Sequence, residues 1–151
     1  RFQLLGDFAS GPRAISREEL DRWVEEGVVE YLGSSPDVRP FIAEADCIVL
    51  PSYREGMPGS LLEGAGMGRP LIATDAPGCR DLVEPDATGY LCEVRSGPSL
   101  AEAMEKFACL SPDERAALGR QARQMVEDRF SDERVNEAYL KVLERLGRDA
   151  R

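Results

Sequence analysis

Two carboxylates flank a turn that follows an apolar segment, and their spacing is the first candidate for chemistry in this chain. Glu55 and Glu63 are separated by seven residues within VLPSYREGMPGSLLEGAGMGRPLIATD, which runs from Val49 to Asp75. The Gly, Pro and Ser residues between them predict a loop after a strand and a helix that begins near Ser60. The start of a helix presents unpaired N–H groups and a partial positive charge, which favour a phosphate group.

The two acids require a different ligand group, because a carboxylate repels a phosphate. Carboxylates accept hydrogen bonds from hydroxyl groups, and a diphosphate that joins two sugars would have hydroxyls on both sides. Eight positions at about 100° each would place the two residues on different sides of one helix. We therefore expect Glu55 in the loop and Glu63 in the first helical turn, where one ligand could contact both.

A purely structural role is the alternative for Glu63. Ser60-Leu-Leu-Glu63 has the spacing of a capping box, in which a serine begins the helix and the acid bonds back to it. Three other segments share that spacing without any sign of chemistry: Ser16–Glu19, Ser99–Glu102 and Ser111–Glu114. We predict neither a capping role nor a packing role for Glu55, so it is the better candidate for ligand contact.

Composition excludes several kinds of active site. None of the 151 residues is His, so this chain cannot build a Ser-His-Asp triad, a Cys-His pair or an HExxH zinc site. The cysteines form no CxxC pair, and we predict no metal site and four small buried side chains in a reducing compartment. They are Cys47, Cys79, Cys92 and Cys109.

Charge and hydropathy restrict the partners and the location. The net charge is −9 and the sequence pI is about 4.6, so a nucleic acid or an anionic membrane surface would be repelled. We predict no nucleic-acid partner. The longest apolar runs fall well short of the roughly eighteen residues that span a bilayer, and the N-terminal RFQLLGDF lacks the features of a signal peptide. The predicted location is therefore the cytoplasm.

Short apolar runs alternate with helical patterns along most of the chain. Five runs are predicted as strands: Phe2–Phe8, Val28–Gly33, Asp46–Ser52, Pro70–Asp75 and Gly89–Val94. The alternation predicts right-handed βαβ units, and so an α/β fold with a Rossmann-like parallel sheet and helices on both faces. Such sheets bind ligands at the carboxyl ends of their strands, where the segment around Glu55 would lie.

Helical patterns fill the gaps between the strands, and two helices without a strand between them follow Ser111. The predicted helical segments are 16–27, 35–45, 59–68, 79–85, 99–110, 111–130 and 131–146. The last one carries an apolar stripe that includes Val135, Tyr139 and Leu143. The stripe indicates docking on a neighbouring surface, and we favour this domain over another domain as that surface. The glycines of EGAGMG lie at the end of the third segment, so they favour close packing and a helix C-cap over a dinucleotide fingerprint.

The segment PSYREGMPGSLLEGAGMGRPLIATDAPGCRDLV resembles the donor-binding half of retaining glycosyltransferases with the GT-B fold. It is similar to the large glycosyltransferase family four, whose hallmark is two acids separated by seven residues. Glu55 and Glu63 match those acids, and the matching frame comprises Pro51, Ser52, Gly56, Pro58, Gly68, Pro70, Ala73 and Thr74. The variants YREG and TDAPGCRD look most like members that build O-antigen, capsule or related lipid-linked glycans.

The resemblance implies transfer of a glycosyl unit from a nucleoside-diphosphate sugar to a glycan or lipid-linked acceptor, with retention and without a metal or other cofactor. Glu55 would be the catalytic residue that faces the donor sugar, and Glu63 would bind the ribose hydroxyls. The diphosphate would lie against Gly56, Met57, Pro58, Gly59, Ser60 and Leu61. The base would be bordered by Tyr31, Leu32, Gly33 and Ser34.

The resemblance also implies parts that this chain does not contain. The family's basic Arg and Lys would precede Arg1, and so would the N-terminal domain that binds the acceptor. We therefore predict a single donor-binding domain over residues 1–151, a fragment of a two-domain enzyme that could act at the cytosolic face of a membrane. The fragment alone should bind donor weakly and catalyse no transfer. Gly64 and Gly66 replace the family's alanines, which should weaken that helix by about 1 kcal/mol each.

Two other functional classes stay open at this point. A sugar-nucleotide epimerase or phosphorylase of the same architecture could share the donor half, although such enzymes generally use catalytic residues, histidine among them, that this segment lacks. A non-catalytic nucleotide-sugar-binding module would need only the donor site. Product analysis with donor and acceptor separates these classes from a transferase.

Overall fold

The chain divides into two compact units, Arg1–Val38 and Arg39–Arg151. The computed structural model describes residues 1–9, 11 and 14–149, except for the side chains of residues 132 and 147–149. Each unit has its own parallel sheet, with two strands in the first and three in the second. Parallel strands connected through helices confirm the predicted α/β class.

The first unit is a strand–helix–strand arrangement. Strand β1 (Gln3–Leu4) pairs in parallel with β2 (Glu30–Tyr31), and helix α1 (Arg17–Glu25) lies between them in sequence. The Ser16 hydroxyl accepts a hydrogen bond from the Glu19 amide at 3.1 Å, which caps α1 as its sequence predicts.

The second unit is built around a three-stranded sheet. In chain order its elements are α2 (Arg39–Glu44), β3 (Ile48–Leu50), α3 (Gly59–Gly66), β4 (Leu71–Thr74), β5 (Gly89–Cys92), α4 (Gly97–Ala108), α5 (Pro112–Phe130) and α6 (Asp132–Asp149). The sheet order is β3-β4-β5, and all neighbours are parallel. Ile72 lies opposite Val49 on one side and Tyr90 on the other, so β4 is the central strand.

The central strand divides the core of the second unit into two layers. Every residue of β4 is buried, and neighbouring side chains point to opposite faces. Leu71 and Ala73 pack with Leu61 and Ala65 of α3, whereas Ile72 packs with Phe107 of α4. Helices therefore cover both faces of this sheet, as predicted, and nearly continuous burial accounts for the apolar composition of β4.

The predicted elements are found, but the hydrogen-bonded cores are shorter. All five predicted strands are present, with two to four paired residues each. The predicted helix at 79–85 is wrong, because that segment contains only a 3-10 turn at Arg80–Leu82. Leu82 and Val83 are buried in the core that contains α3, and the backbone at Val83 is already extended. Packing of these two side chains replaces further helical turns.

Two of the predicted capping boxes can be compared at the start of α4 and α5. The box at Ser111 and Glu114 is confirmed, with the serine and the acid bonded to each other's backbone amide. The prediction of a capping box at Ser99 and Glu102 is wrong, because α4 begins at Gly97, two residues before Ser99, and Ser96 is its N-cap. The Ser96 hydroxyl accepts from the Ser99 amide at 3.2 Å, so Glu102 lies beyond the first turn.

Helix α6 does not pack as predicted. Its apolar stripe is exposed, with Val135 at 45%, Tyr139 at 68% and Leu143 at 62% exposure. The prediction that this stripe is covered by the chain's own domain is therefore wrong. A helical period of apolar residues indicates that one face can be buried, but it carries no information about the surface that buries it.

The glycines at the end of α3 have the roles predicted for them. Gly68 has a φ of +72° and follows the C-cap residue Met67. Its amide donates to the Ala65 carbonyl at 2.8 Å, and the Arg69 amide donates to the Gly64 carbonyl at 2.9 Å. These two bonds form a Schellman motif, which ends the helix and turns the chain into β4.

Gly64 and Gly66, the last residue of α3, should respond oppositely to alanine. A Cβ at Gly64 would lie 2.5 Å from Cγ1 of Ile48, whereas a Cβ at Gly66 would meet nothing within 4 Å. We expect Gly66→Ala to raise the free energy of unfolding by at most about 1 kcal/mol, because alanine favours the helix and the position is at its end. Gly64→Ala should lower it by roughly 1–3 kcal/mol, because β3 must move away.

Urea unfolding of the two variants measures this difference. Each variant is the matched control of the other, since both make the same substitution in one helix. Equal stabilisation by both would contradict the close packing of α3 on β3 at Gly64.

The structure also tests two expectations from composition and hydropathy, the burial of the cysteines and the lack of a membrane-spanning segment. Cys79 and Cys92 are buried and Cys47 is half-buried, but Cys109 is exposed, so the prediction of four buried cysteines is wrong for that residue. Within the described ranges, the helices are all too short or too polar to cross a bilayer.

Candidate functional site

The candidate site lies where β3 ends and α3 begins. The connection between them, residues 51–58, is called the β3 loop below, and it contains Glu55. Helix α3 starts at Gly59, one residue before the predicted start. Since β3, β4 and β5 are parallel, their carboxyl ends meet at one edge of the sheet, and the β3 loop lies at that edge.

Glu55 lies in the β3 loop, as predicted. Its side chain is half-buried. Oε1 accepts a hydrogen bond from the Ser52 hydroxyl at 2.5 Å, and the Glu55 amide donates to the Pro77 carbonyl at 3.1 Å. Among the described residues, no donor to Oε2 is found. One oxygen of the carboxylate is therefore held by the protein, and the other can accept a hydrogen bond from a ligand.

The beginning of α3 has the features of an anion site. Pro58 is the N-cap residue and has no side-chain bond to the helix. The Leu61 and Leu62 amides both donate to the Pro58 carbonyl at 3.2 Å. In the part of the chain that the structure describes, the amides of Gly59 and Ser60 have no acceptor. Both residues are exposed, so these two N–H groups can bind a phosphate oxygen.

The other residues predicted to contact the diphosphate differ in exposure. Gly56 and Met57 are exposed in the β3 loop, whereas Pro58 is buried. The Leu61 side chain is fully buried in the core, and its amide already has an acceptor. Leu61 therefore positions the helix rather than offering a group to a ligand.

Glu63 does not have the capping role that its spacing suggests. The helix begins at Gly59, so Glu63 is the fifth helical residue and not part of the first turn. No side chain caps α3, and the predicted capping box with Ser60 is wrong. Glu63 is exposed three positions after Ser60, on the same side of the helix, while Leu61 and Ala65 are buried. Its carboxylate is accessible near the free amides.

The residues predicted to border the base belong to the first unit. Tyr31 ends β2, and Leu32, Gly33 and Ser34 follow it. The Tyr31 hydroxyl donates to the Gly6 carbonyl at 2.9 Å, and its ring meets Phe8 edge to face at 5.6 Å. The Tyr31 side chain is therefore already used for packing within that unit.

Several residues that contact Glu55 or its loop were not predicted from the sequence as part of the site. Besides Ser52 and Pro77, they include Thr74, whose hydroxyl donates to the Ser52 carbonyl, and Gly78, which packs on the backbone of Glu55. A Pro-Gly pair after a strand is a turn signal that marks Gly78, but the contact with Glu55 joins segments more than twenty residues apart. Sequence spacing carries no signal for it.

A buried thiol next to this cluster is not a nucleophile. Burial raises the pKa of the Cys79 thiol, a hydrogen bond with Thr74 lowers it, and the charge of Glu55 raises it further. The net shift is upward, so the thiol stays protonated at neutral pH. Among the described residues, no group of three or more Cys, Asp or Glu side chains is placed to hold a metal ion.

The sequence match to known proteins covers this site. The family model described as Glycosyl transferases group 1 matches residues 1–109, which include both acids and all of α3. The chain belongs to this family. It is 29% identical over 147 residues to N,N'-diacetylbacillosaminyl-diphospho-undecaprenol alpha-1,3-N-acetylgalactosaminyltransferase of Campylobacter jejuni, a match to 96% of this chain and 37% of the relative.

One further relative agrees with this membership, and one solved structure shares the fold. This chain is 31% identical over 155 residues to the putative colanic acid biosynthesis glycosyltransferase WcaL of Escherichia coli, covering 97% of this chain and 37% of WcaL. The crystal structure of HepE from Anabaena, in complex with UDP, superposes with a TM-score of 0.75 at 23% identity, covering 84% of this chain and 35% of HepE. This chain thus spans about a third of the length of the proteins it matches.

Proposed function

We propose that this chain is the donor-binding half of a retaining glycosyltransferase, which moves a glycosyl unit from a nucleoside-diphosphate sugar to a glycan or lipid-linked acceptor. The observation that carries the proposal is the family match over residues 1–109, because that region contains both acids and the loop–helix junction between them. The geometry of the junction supports it, since an anion site lies between two carboxylates that can accept hydrogen bonds from sugars.

Each part of the junction has a proposed role. The amides of Gly59 and Ser60 bind the diphosphate at the positive end of the α3 dipole, where they also stabilise the charge of the leaving group. Glu63 accepts hydrogen bonds from the ribose hydroxyls on the exposed side of α3. Glu55 faces the transferred sugar through its free carboxylate oxygen. The contribution of Tyr31–Ser34 to base recognition rests on the resemblance alone.

The relatives suggest the class of donor and acceptor. HepE was crystallised with UDP, so we propose a UDP-sugar as the donor of this protein. The Campylobacter jejuni relative is named for a diphospho-undecaprenol acceptor, and WcaL is named for colanic acid biosynthesis. A growing glycan, attached to a lipid at the cytosolic face of a membrane, is the acceptor we propose here.

Product analysis of the full natural protein that contains this chain tests the proposal. UDP-glucose, UDP-N-acetylglucosamine and UDP-N-acetylgalactosamine are each incubated with an undecaprenyl-diphosphate-linked saccharide, and the products are examined by NMR. We expect one donor to yield a new glycosidic bond with the anomeric configuration of that donor. Reactions without acceptor are the control for hydrolysis.

The other functional classes give different products. Conversion of the donor sugar to its epimer, with the acceptor unchanged, would indicate the epimerase class. Nucleotide binding without any product from the three donors would indicate a non-catalytic binding module. Either result would overturn the transferase proposal.

A further inference from the structure

The β3 loop is held at several points by the segment that follows β4. Residues 75–79, called the β4 loop below, follow Thr74 at the same edge of the sheet. The Glu55 amide donates to the Pro77 carbonyl at 3.1 Å. The Thr74 hydroxyl donates to the carbonyl of Ser52, and this threonine is only 2% exposed. The backbone of the β3 loop is therefore bonded to β4 at Ser52 and to the β4 loop at Glu55.

The carboxylate of Glu55 is itself oriented by a neighbour. The Ser52 hydroxyl donates to Oε1 at 2.5 Å, across three positions of the same loop. A hydrogen bond to a carboxylate is charge-assisted, so it holds the side chain in one rotamer more strongly than a neutral bond would. Ser52 thus links Thr74 to Glu55. Its carbonyl accepts a hydrogen bond from Thr74, and its hydroxyl donates one to the Glu55 carboxylate.

Gly78, in the β4 loop, lies against the backbone of Glu55 and Gly56. Its φ is +83°, and a Cβ there would lie 2.4 Å from the Glu55 carbonyl oxygen and 2.6 Å from that of Gly56. Both neighbours are backbone atoms, so they cannot rotate away as the end of a long side chain can. The Gly78 amide donates to Oδ2 of Asp81 at 3.3 Å, which orients the β4 loop. Any side chain at position 78 must displace the backbone that carries Glu55.

We propose that Ser52, Thr74 and Gly78 are positioning residues, which fix the Glu55 carboxylate relative to the beginning of α3. This inference deepens the proposed function and rests on it, since it assigns the geometry of the same site to residues that do not contact the donor. A carboxylate that is held in place before the donor binds loses little conformational freedom in the transition state. Displacement of the reacting groups by about 1 Å can cost a hundredfold in rate.

Paired substitutions in the full natural protein test the roles of the two hydroxyls. The probe is UDP-glucose, UDP-N-acetylglucosamine or UDP-N-acetylgalactosamine, whichever gives the fastest UDP release with the lipid-linked acceptor. We expect Ser52→Ala to lower kcat by about tenfold or more, while the Kd for UDP changes less than about twofold. Ser52→Thr keeps the hydroxyl and should restore most of the rate. Thr74→Val should act in the same direction as Ser52→Ala, because the carbonyl it holds is released.

Matched controls separate positioning from general loss of stability. Ser111→Ala removes a hydroxyl that donates to the Glu114 carboxylate at 2.7 Å, as the Ser52 hydroxyl donates to Glu55. Ser111 is the N-cap of α5 and lies outside the proposed site. Thr88→Val removes a second buried threonine hydroxyl, which accepts from the Glu84 amide at 2.8 Å. Both controls should lower Tm without changing kcat at a temperature where the protein is folded. Gly78→Ala is expected to lower kcat as well, but Ser52 provides the test if that variant does not fold.

The outcomes distinguish this inference from the proposed function. If wild-type protein releases no UDP from the donors, whether or not it binds UDP, the proposed function fails and the positioning role fails with it. If wild-type protein is active and Ser52→Ala retains its kcat, only the positioning role is overturned. A fall in kcat that Ser52→Thr does not restore, or that the two controls share, would also overturn it.

Discussion

Glu55→Gln in the full natural protein is expected to lower kcat and kcat/KM together, by about a hundredfold. The substitution keeps the size of the side chain and an oxygen that can accept from Ser52, so the β3 loop should stay in place. What it removes is the negative charge that we propose faces the donor sugar. Because the affected interaction is made mainly in the transition state, the Kd for UDP should remain nearly unchanged.

Steady-state kinetics and calorimetric titration with UDP measure the two effects. Glu114→Gln is the matched control, because Glu114 also accepts a hydrogen bond from a serine three positions earlier, at 2.7 Å. That variant should lose at most about 1 kcal/mol of stability through its helix cap and keep full activity. Unchanged kcat for Glu55→Gln would remove Glu55 from the catalytic machinery.

Glu63→Gln is expected to weaken binding of UDP by roughly tenfold to a hundredfold. A charge-assisted hydrogen bond contributes about 1.5–3 kcal/mol, and glutamine keeps one acceptor oxygen but not the charge. The melting temperature should stay nearly constant, because α3 has no side-chain cap and Glu63 makes none of the bonds of a capping box. Binding and stability thus respond separately to this substitution.

Glu102→Gln is the control for this second experiment. Ser99-Leu-Ala-Glu102 has the same spacing as Ser60-Leu-Leu-Glu63, and in both cases the helix starts before the serine, so neither acid is in a cap. Both glutamates are exposed helical residues. Calorimetric titration should show weaker UDP binding for Glu63→Gln only. Equal affinity for wild type and both variants would refute the ribose-binding role of Glu63.

Much of the fold could be predicted because short-range physics determines it. The five strands follow from apolar runs that end in turn residues, and α3 begins within one residue of its predicted start. The box at Ser111 and Glu114 forms from residues within one helical turn, so its sequence pattern is sufficient. The two acids were also found from local features, namely the loop after β3 and their spacing.

The N-caps of the helices show that a local sequence pattern does not always predict a cap. Of the four serines that begin the predicted capping boxes, only Ser16 and Ser111 are N-caps, and Ser111 alone has the complete box among the described residues. At α3 the chain enters the helix through Pro58, which already provides the acceptor for the Leu61 and Leu62 amides. Whether a serine becomes the cap therefore depends on the path of the chain before it.

Sequence alone was enough to establish the alternating strands and helices, the candidate acids and the likeness to a glycosyltransferase donor half, because each depends on residues close together in the chain. Tertiary structure decided that Glu63 is not part of a helix cap, that the α6 stripe is exposed, and which residues hold Glu55. The contacts of Thr74, Pro77 and Gly78 with the β3 loop arise because parallel pairing of β3 with β4 brings the loops after them to one edge. Spacing in the sequence cannot reveal such contacts, since they depend on how distant segments pack.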